Sequence, residues 1–252
     1  MLNQAIIQPY LDAHPAPLLF VTVSGAHLYG FESPDSDYDL RGCHVTPVRQ
    51  LVSMSPPDET HEVMDKNAPV EMDLVTHDVR KFFSLLLKNN GYVLEQVCSP
   101  LVVYAAPEFV ELRALADRCV TRHHKHHFRK FGENQWKLVI KGGRPTVKGL
   151  LYTYRVLLAG IHLLTTGQVE SNLRELNQSF RLSYIDDLIV AKISGAEKAP
   201  LDLTNLPMHE REFSRLCAEL EAARDRSTLP DEPTCRREME ELLIRIRMKH
   251  LG

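Results

Sequence analysis

The sequence predicts an α+β (α/β) fold: a small sheet-bearing half with flanking helices over residues 1–106, then a helical half over 107–252. Three observations predict it. Short β-branched and aromatic runs, punctuated by turn residues, crowd the first half. Strand signals stop after about residue 107. Beyond it, apolar residues recur at helical spacing, most clearly at Val147, Leu150, Leu151, Tyr154, Leu157, Leu158, Ile161 and Leu164.

The elements follow in order. Asn3 to Ala13 reads as a short helix stopped by His14-Pro15. Leu18 to Ser24 (LLFVTVS) is a buried strand, and Gly25 to Gly30 a turn. Residues 37–46 alternate, with Asp37, Asp39 and Arg41 on one face and Tyr38 and Leu40 on the other. Pro47 to Ala68, with Pro56-Pro57 and many charges, is expected to be an irregular loop. Val70 to Thr76 (VEMDLVT) is a strand, followed by a helix from Asp78, a fair N-cap, to Leu87. Asn89-Asn90-Gly91 breaks the chain before a short helix at Tyr92–Val97 and the strand LVVYA. Pro107 is expected to open one helix running to about Phe131. A long helix spans Val147 to Leu164, and three more are expected near 181–195, 208–226 and 232–250, with Asp202–Met208 a linker.

At 252 residues the chain has ample length for a real core. A net charge of -3 gives no strong global field toward nucleic acid or membrane, so any basic site must be local. No window approaches eighteen uninterrupted apolar residues, and the N-terminus lacks a basic start and apolar run. Five scattered cysteines never fall in C-x-x-C spacing and read as reduced thiols. A cytoplasmic protein with no membrane partner is therefore expected.

The chemistry concentrates in SGAHLYGFESPDSDYDLRG, Ser24 to Gly42. Asp37 and Asp39, one residue apart on a strand, point to the same face. Adjacent carboxylates repel and are costly to desolvate. Taken alone, such a pair fits an exposed strand edge with solvated aspartates. A divalent cation is the other reason for it: Mg²⁺ is held by one or two carboxylates plus substrate phosphates. Gly25 follows a buried strand, in a turn whose backbone N–H groups can receive phosphate oxygens. Glu71 and Asp73 form a second one-apart pair on VEMDLVT. If that strand lies beside residues 37–46, a third carboxylate joins the first two, and three carboxylates can hold two metal ions.

An apolar strand, a glycine turn, D-x-D and a later strand acid resemble the DNA polymerase β-type nucleotidyltransferase superfamily. More narrowly, SGAHLYGFESPDSDYDLRG, VEMDLVTHDVRKFFSLLLKNNGYVLEQVCSP and KGLLYTYRVLLAGIHLL are similar to predicted nucleotidyltransferases of the RNA repair pathway DNA polymerase beta family, over roughly residues 18–166. The resemblance implies a small mixed-sheet nucleotidyltransferase domain followed by a helical one. It implies phosphate binding at Gly25, metal binding at Asp37 and Asp39, and a third carboxylate at Asp73 or, second, Glu71. The superfamily places Ser or Gly where this chain has Ala26, so Ser24, Ser36 or the backbone must replace a missing hydroxyl. Arg41 reads equally as a triphosphate contact or as the cation that holds the carboxylates.

Lys148, Tyr152 and Arg155 lie at i, i+4 and i+7. Alone they read as a solvated basic face with a half-buried tyrosine. With the resemblance they read as phosphate clamps and a stacking ring. His123, His124, His126 and His127 include an i, i+4 pair, but no Glu or Cys stands nearby to complete a zinc site. The basic residues Arg129, Lys130, Lys137, Lys141 and Arg144, interleaved with Phe128, Phe131 and Trp136, fit RNA or triphosphate contact better, or a plain surface. Gly142-Gly143 lacks phosphate-loop spacing and reads as a linker, with Thr146 capping the next helix.

The expected activity is transfer of a nucleoside monophosphate from an NTP, ATP included, to an acceptor hydroxyl with Mg²⁺ or Mn²⁺. The resemblance suggests an RNA end. Transfer to a protein or small-molecule hydroxyl is the rival within catalysis. A nucleotide-binding domain without turnover is the rival outside it, kept alive by Ala26. Base preference and oligomeric state are not encoded in any motif.

Overall fold

The computed structural model describes residues 3–141, 146–195 and 205–251. Packing divides the chain into two compact units. The first takes Met1–Gly25, Asp37–Cys119 and Pro233–Gly252; the second takes Ala26–Ser36 and Val120–Glu232. The division is drawn differently from the sequence seam near 106: the last helix goes with the sheet, and eleven residues of the glycine-rich stretch go with the helices.

The first unit is built on a mixed sheet of β1 (Leu18–Val23), β2 (Tyr38–His44), β3 (Thr60–Asp65), β4 (Met72–Asp78) and β5 (Val102–Ala105), in the order β3-β4-β2-β1-β5. β1 is antiparallel to β2 and β5, β3 is antiparallel to β4, and β2 runs parallel to β4. All six residues of β1 are buried, as a central strand covered on both faces requires. β4 alternates strictly between buried and half-buried, so only one of its faces is covered completely. One core layer holds Leu18, Val21, Val23, Leu40 and Leu74, with Ile7 and Leu11 from α1 (Gln4–Asp12). Phe20 lies 5.2 Å edge-on to Phe82 of α4 (Val79–Leu86) and stacks at 4.6 Å on Phe109 of α6 (Phe109–Ala116). Asp78 caps α4 through Arg80 N–H at 3.0 Å, and Arg247 of the C-terminal helix pairs with the same carboxylate.

Two expectations are corrected in this unit. Residues 47–68 are not irregular throughout: they hold α3 (Val48–Leu51) and the edge strand β3. THEVMD is polar because an edge strand faces water, which masks its alternation. The single helix expected over 107–131 is broken. α6 stops at Ala116, a 3₁₀ turn covers Asp117–Cys119, and α7 starts at His124 in the second unit. No proline or glycine marks that break in the sequence. α5 (Gly91–Cys98), capped by Asn90, completes the helices around the sheet together with the C-terminal helix, Arg236–Lys249.

The second unit is helical. It holds α7 (His124–Lys141), α8 (Val147–Thr166), α9 (Leu173–Phe180), α10 (Ser183–Ser194) and α11 (Leu206–Arg226), and the C-terminal helix of the first unit is therefore α12. The five-residue helix α2 (Gly25–Tyr29) straddles the division, with Gly25 in the first unit and the rest in the second. α8 is the axis. By length and composition it is apolar enough to cross a membrane, but 78% of its most apolar window is buried within the fold. Close approach to α7 is made through glycines: a Cβ at Gly132 would meet Leu157, and one at Gly160 would meet Phe128. Trp136 stacks on Phe213 of α11 at 4.9 Å.

The sequence missed α9, a short helix that Asn172 caps through the N–H groups of Arg174 and Glu175. Thr146 does cap α8, its hydroxyl accepting from Gly149 N–H at 3.1 Å. Gly142, Gly143 and Arg144 lie outside the described residues, as do residues 202–204 of the linker expected at 202–208; Leu206–Met208 belong to α11.

Candidate active site

In the first unit the parallel pairing of β2 and β4 sets Asp39 directly opposite Asp73. Each faces away from the covered side of its strand, because Leu40, Met72 and Leu74 take the buried positions. The alternation of both strands thus brings two carboxylates together. Their side chains are 20% and 22% exposed, so both stay open to a solute.

Gly25 stands against Asp39. Its φ is +62°, and a Cβ there would lie 1.9 Å from Asp39 Oδ2. Only glycine combines that left-handed conformation with that approach. Ser24, buried beside it, donates its backbone N–H to the Asp39 carbonyl at 2.8 Å. Asp37 precedes β2 and is half-buried. Glu71 precedes β4: its carbonyl accepts from Tyr38 N–H at 2.9 Å, and its side chain is exposed.

Arg41 lies between the carboxylates. Its Nη2 donates to Asp39 Oδ1 at 2.8 Å and to Asp73 Oδ2 at 2.6 Å. Nη1 donates to the carbonyls of Leu40 and Asp73 at 2.9 and 2.7 Å, and Nε to the Tyr92 hydroxyl at 2.7 Å. Burial opposes the guanidinium charge, but Tyr92 and Asp39 outweigh it and raise the Arg41 pKa. Burial likewise raises the Tyr92 phenol. Two carboxylates bridged by one cation form a locus that demands positive charge. Tyr92, from α5, gave no signal in the sequence.

The other sequence candidates belong to the second unit. Ala26 is buried. The Ser36 hydroxyl accepts from Ser33 N–H at 2.9 Å, and from Lys192 Nζ at 3.3 Å. Lys192, on α10 and only 2% exposed, also donates to the Ser33 hydroxyl at 2.6 Å. Ser33 in turn donates to Asp35 at 2.6 Å. Sequence reasoning did not single out Lys192, because a lone lysine on a helix gives no pattern. Lys148 lies 5.9 Å from the centre of the Tyr152 ring. Tyr152 packs edge-on against Tyr29 and Phe31, each at 5.5 Å. Arg155 is 1% exposed and sits 3.7 Å over the Tyr29 ring. The stripe read from the sequence therefore divides: Lys148 and Tyr152 are half-buried, and Arg155 is a core cation on an aromatic face.

In the histidine run, His124 is fully buried and His127 half-buried, and burial pushes both down to about 4. His123 instead lies 3.2 Å from Asp231. Among the described residues no three His, Cys, Asp or Glu side chains converge as a ready-made metal site. In the basic stretch, Arg129 pairs with Glu133 at 2.6 Å, while Phe128 and Trp136 are core residues. Lys130, Lys137 and Lys141 are exposed, and Arg144 is not described.

Comparison with known proteins shows the family of the chain. The sequence pattern of the RNA repair pathway DNA polymerase beta family matches residues 3–245. The chain belongs to this family. As a member it is a nucleotidyltransferase-like protein. One relative, the uncharacterized protein MJ0002 of Methanocaldococcus jannaschii, is 29% identical over 219 residues, 86% of this chain and 88% of the relative. Another, the uncharacterized protein YcgL of Bacillus subtilis, is 26% identical over 150 residues, 59% of this chain and 56% of that protein. A nucleotidyltransferase-like protein from Exiguobacterium sibiricum aligns structurally over 98% of this chain and 78% of its own, with a TM-score of 0.34 and 10% identity.

Proposed function

We propose that this family member is a metal-dependent nucleotidyltransferase that moves a nucleoside monophosphate from an NTP to an acceptor hydroxyl, releasing pyrophosphate. The observation that carries the reading is the pairing of Asp39 with Asp73 across β2 and β4, bridged by a guanidinium and set against the backbone of Gly25. The donor set fits Mg²⁺ or Mn²⁺. It is hard oxygen, partly exposed, already organised around one positive charge, and short of a full ligand count, which suits a hydrated ion completed by substrate phosphates. Asp37 joins Asp39 as the metal pair. Asp73 is the third carboxylate, and Glu71, beyond the strand end, stands second. When bound, the ion would polarise the α-phosphate and favour deprotonation of the acceptor hydroxyl.

The protein's own part is positioning. Gly25 lets Asp39 come close to the backbone where a side chain would meet its carboxylate, and the N–H groups of that turn would receive phosphate oxygens. Ala26 offers no hydroxyl, so the backbone carries that contact. Arg41 holds Asp39 and Asp73 side by side through Nη2. The acceptor proposed from the family is an RNA end. A second reading, nucleotide binding without turnover, is favoured by Arg41 itself, which satisfies both carboxylates without a metal.

One experiment separates these readings. The protein is incubated with each α-³²P NTP, Mg²⁺ or Mn²⁺, and total RNA, and label is followed on RNA and on protein. Label on RNA that disappears in the Asp37→Ala, Asp39→Ala double variant is the expected result. Label on protein alone moves the acceptor. Equal labelling by the double variant would refute the carboxylate site, and nucleotide binding without any label would leave the binding-only reading.

A further inference from the structure

Two cysteines 116 positions apart meet in the first unit. Cys119 closes the 3₁₀ turn after α6, and Cys235 immediately precedes α12. Their Sγ atoms are 3.3 Å apart, and both residues are fully buried. The meeting is built by neighbouring groups. Thr234 N–H donates to the Arg118 carbonyl at 3.0 Å, Arg118 Nη2 donates back to the Thr234 carbonyl at 2.8 Å, and Arg118 pairs with Glu238 at 2.8 Å. The Cys235 thiol also donates to the Leu115 carbonyl at 3.5 Å.

The two thiols are chemically unlike. Cys235 stands at the N-cap position of the 14-residue helix α12, although its sulfur makes no capping hydrogen bond to that helix. The hydrogen bond from Cys119 holds its pKa below the ordinary value, with Arg118 adding to the effect. Cys119 is shifted the other way, by its hydrogen bond to Cys235 and by burial. Two sulfurs within contact distance, one more readily ionised than the other, are the arrangement a resolving pair needs.

The position matters as much as the chemistry. Cys119 is the last residue of the first unit before the chain passes into the second, and Cys235 lies just after it returns at Pro233. We propose that Cys119 and Cys235 are a redox-active dithiol which a peroxide converts to a disulfide, fastening together the two points where the chain leaves and re-enters the sheet unit. The Cys235 thiolate attacks one peroxide oxygen, the O–O bond breaks, and hydroxide leaves and is protonated to water. The sulfenic acid formed on Cys235 is then attacked by Cys119 sulfur; the S–O bond breaks and a second water departs with the Cys119 proton. Two thiols lose two electrons and one peroxide gains them. Burial of both sulfurs favours this small oxidant over a bulky disulfide.

The test uses the full chain and needs no variant to begin. Reduced protein is exposed to a few equivalents of hydrogen peroxide, remaining thiols are alkylated under denaturing conditions, and peptides are mapped by mass spectrometry. The expected result is a Cys119–Cys235 cross-linked peptide that forms before Cys98 is modified and vanishes on reduction with dithiothreitol. It should be accompanied by a reversible rise in Tm of several degrees. In Cys119→Ser the cross-link is lost and a sulfenic-acid probe labels Cys235; in Cys235→Ser no such label appears at Cys119. Prior oxidation of Cys98 with Cys119 and Cys235 still alkylatable, or conversion of Cys235 to sulfinic acid without a cross-link, would overturn the proposal. Should either serine variant fail to fold, the wild-type peptide map and the Tm shift still decide.

Discussion

Arg41 in the sheet unit, half-buried, and Arg155 in the helical unit, fully buried, both come from the sequence's candidate set, and they are held by opposite means. Arg41 is surrounded by oxygen, with Asp39, Asp73, two carbonyls and the Tyr92 hydroxyl at hydrogen-bond distance. Arg155 lies over the π-face of Tyr29 at 3.7 Å, in a layer with Tyr152 and Phe31. Anions that hold one cation can receive another. An aromatic face holding a fully buried guanidinium is part of a core. The difference teaches that charge patterning alone could not separate a site from a scaffold; the partner did.

The largest expected effect is acid destabilisation, and it should fall unevenly. His124 and His127 in the helical unit and His44 in the sheet unit each have a pKa lowered to about 4, with burial the first cause in all three. A depressed histidine is neutral when folded while its unfolded form takes up a proton below about 6.5. The unfolded state then binds more protons, so stability is intact above about pH 6.5 and is lost as pH falls toward 4. Each group contributes up to about 2 kcal/mol of loss near pH 5. Calorimetry from pH 7.5 to 4.5 should show Tm falling through this window. Hydrogen exchange should show α7 losing protection before β1 and β2. A flat profile, or a sheet that opens first, breaks the comparison.

Next comes Arg155→Ala. It empties a core position and removes the Tyr29 contact, with an expected cost of about 3 kcal/mol by urea denaturation. Millimolar Mg²⁺ should not restore it, because nothing in that aromatic layer attracts a cation of that kind. Arg41→Gln should behave in the opposite way. It leaves Asp39 and Asp73 opposite one another with no cation between them, at a cost of about 2 kcal/mol in the presence of a chelator. Mg²⁺ or Mn²⁺ should recover part of that loss, since a ligand that binds only the folded state stabilises it. A deficit indifferent to divalent cations would make Arg41 a scaffold residue like Arg155.

What the sequence disclosed tracks the range of the interactions involved. That Asp39 and Asp73 each lie on the open face of a strand was readable because a strand has period two and both runs alternate clearly, while the pairing of the two strands entered only as a condition. The β3 edge was not, since water-facing polar residues erase the pattern. The break between α6 and α7 was not, since no proline or glycine marks it. Residues that reach the candidate loci from distant elements left no local trace: Tyr92 on α5, Tyr29 beneath Arg155, and Lys192 on α10 beneath Ser33 and Ser36. Each is defined by a contact far away in the chain.

Tyr92 gives the smallest and most discriminating prediction. Asn90 caps α5 by accepting from the N–H groups of Tyr92 and Val93 at 3.0 and 3.3 Å, which fixes the ring's starting point. The hydroxyl then accepts from Arg41 Nε at 2.7 Å. Tyr92→Phe keeps the ring and removes only that acceptor, for an expected loss of about 1 kcal/mol. The guanidinium keeps Asp39 and Asp73 but is held less firmly, so a divalent cation competes with a looser rival. The apparent affinity for Mn²⁺, followed by Tm against metal concentration, should therefore rise in Tyr92→Phe while protein stability in chelator falls slightly. If metal affinity falls with stability, Tyr92 supports the carboxylates rather than the cation between them, and Arg41 is a strut instead of a placeholder.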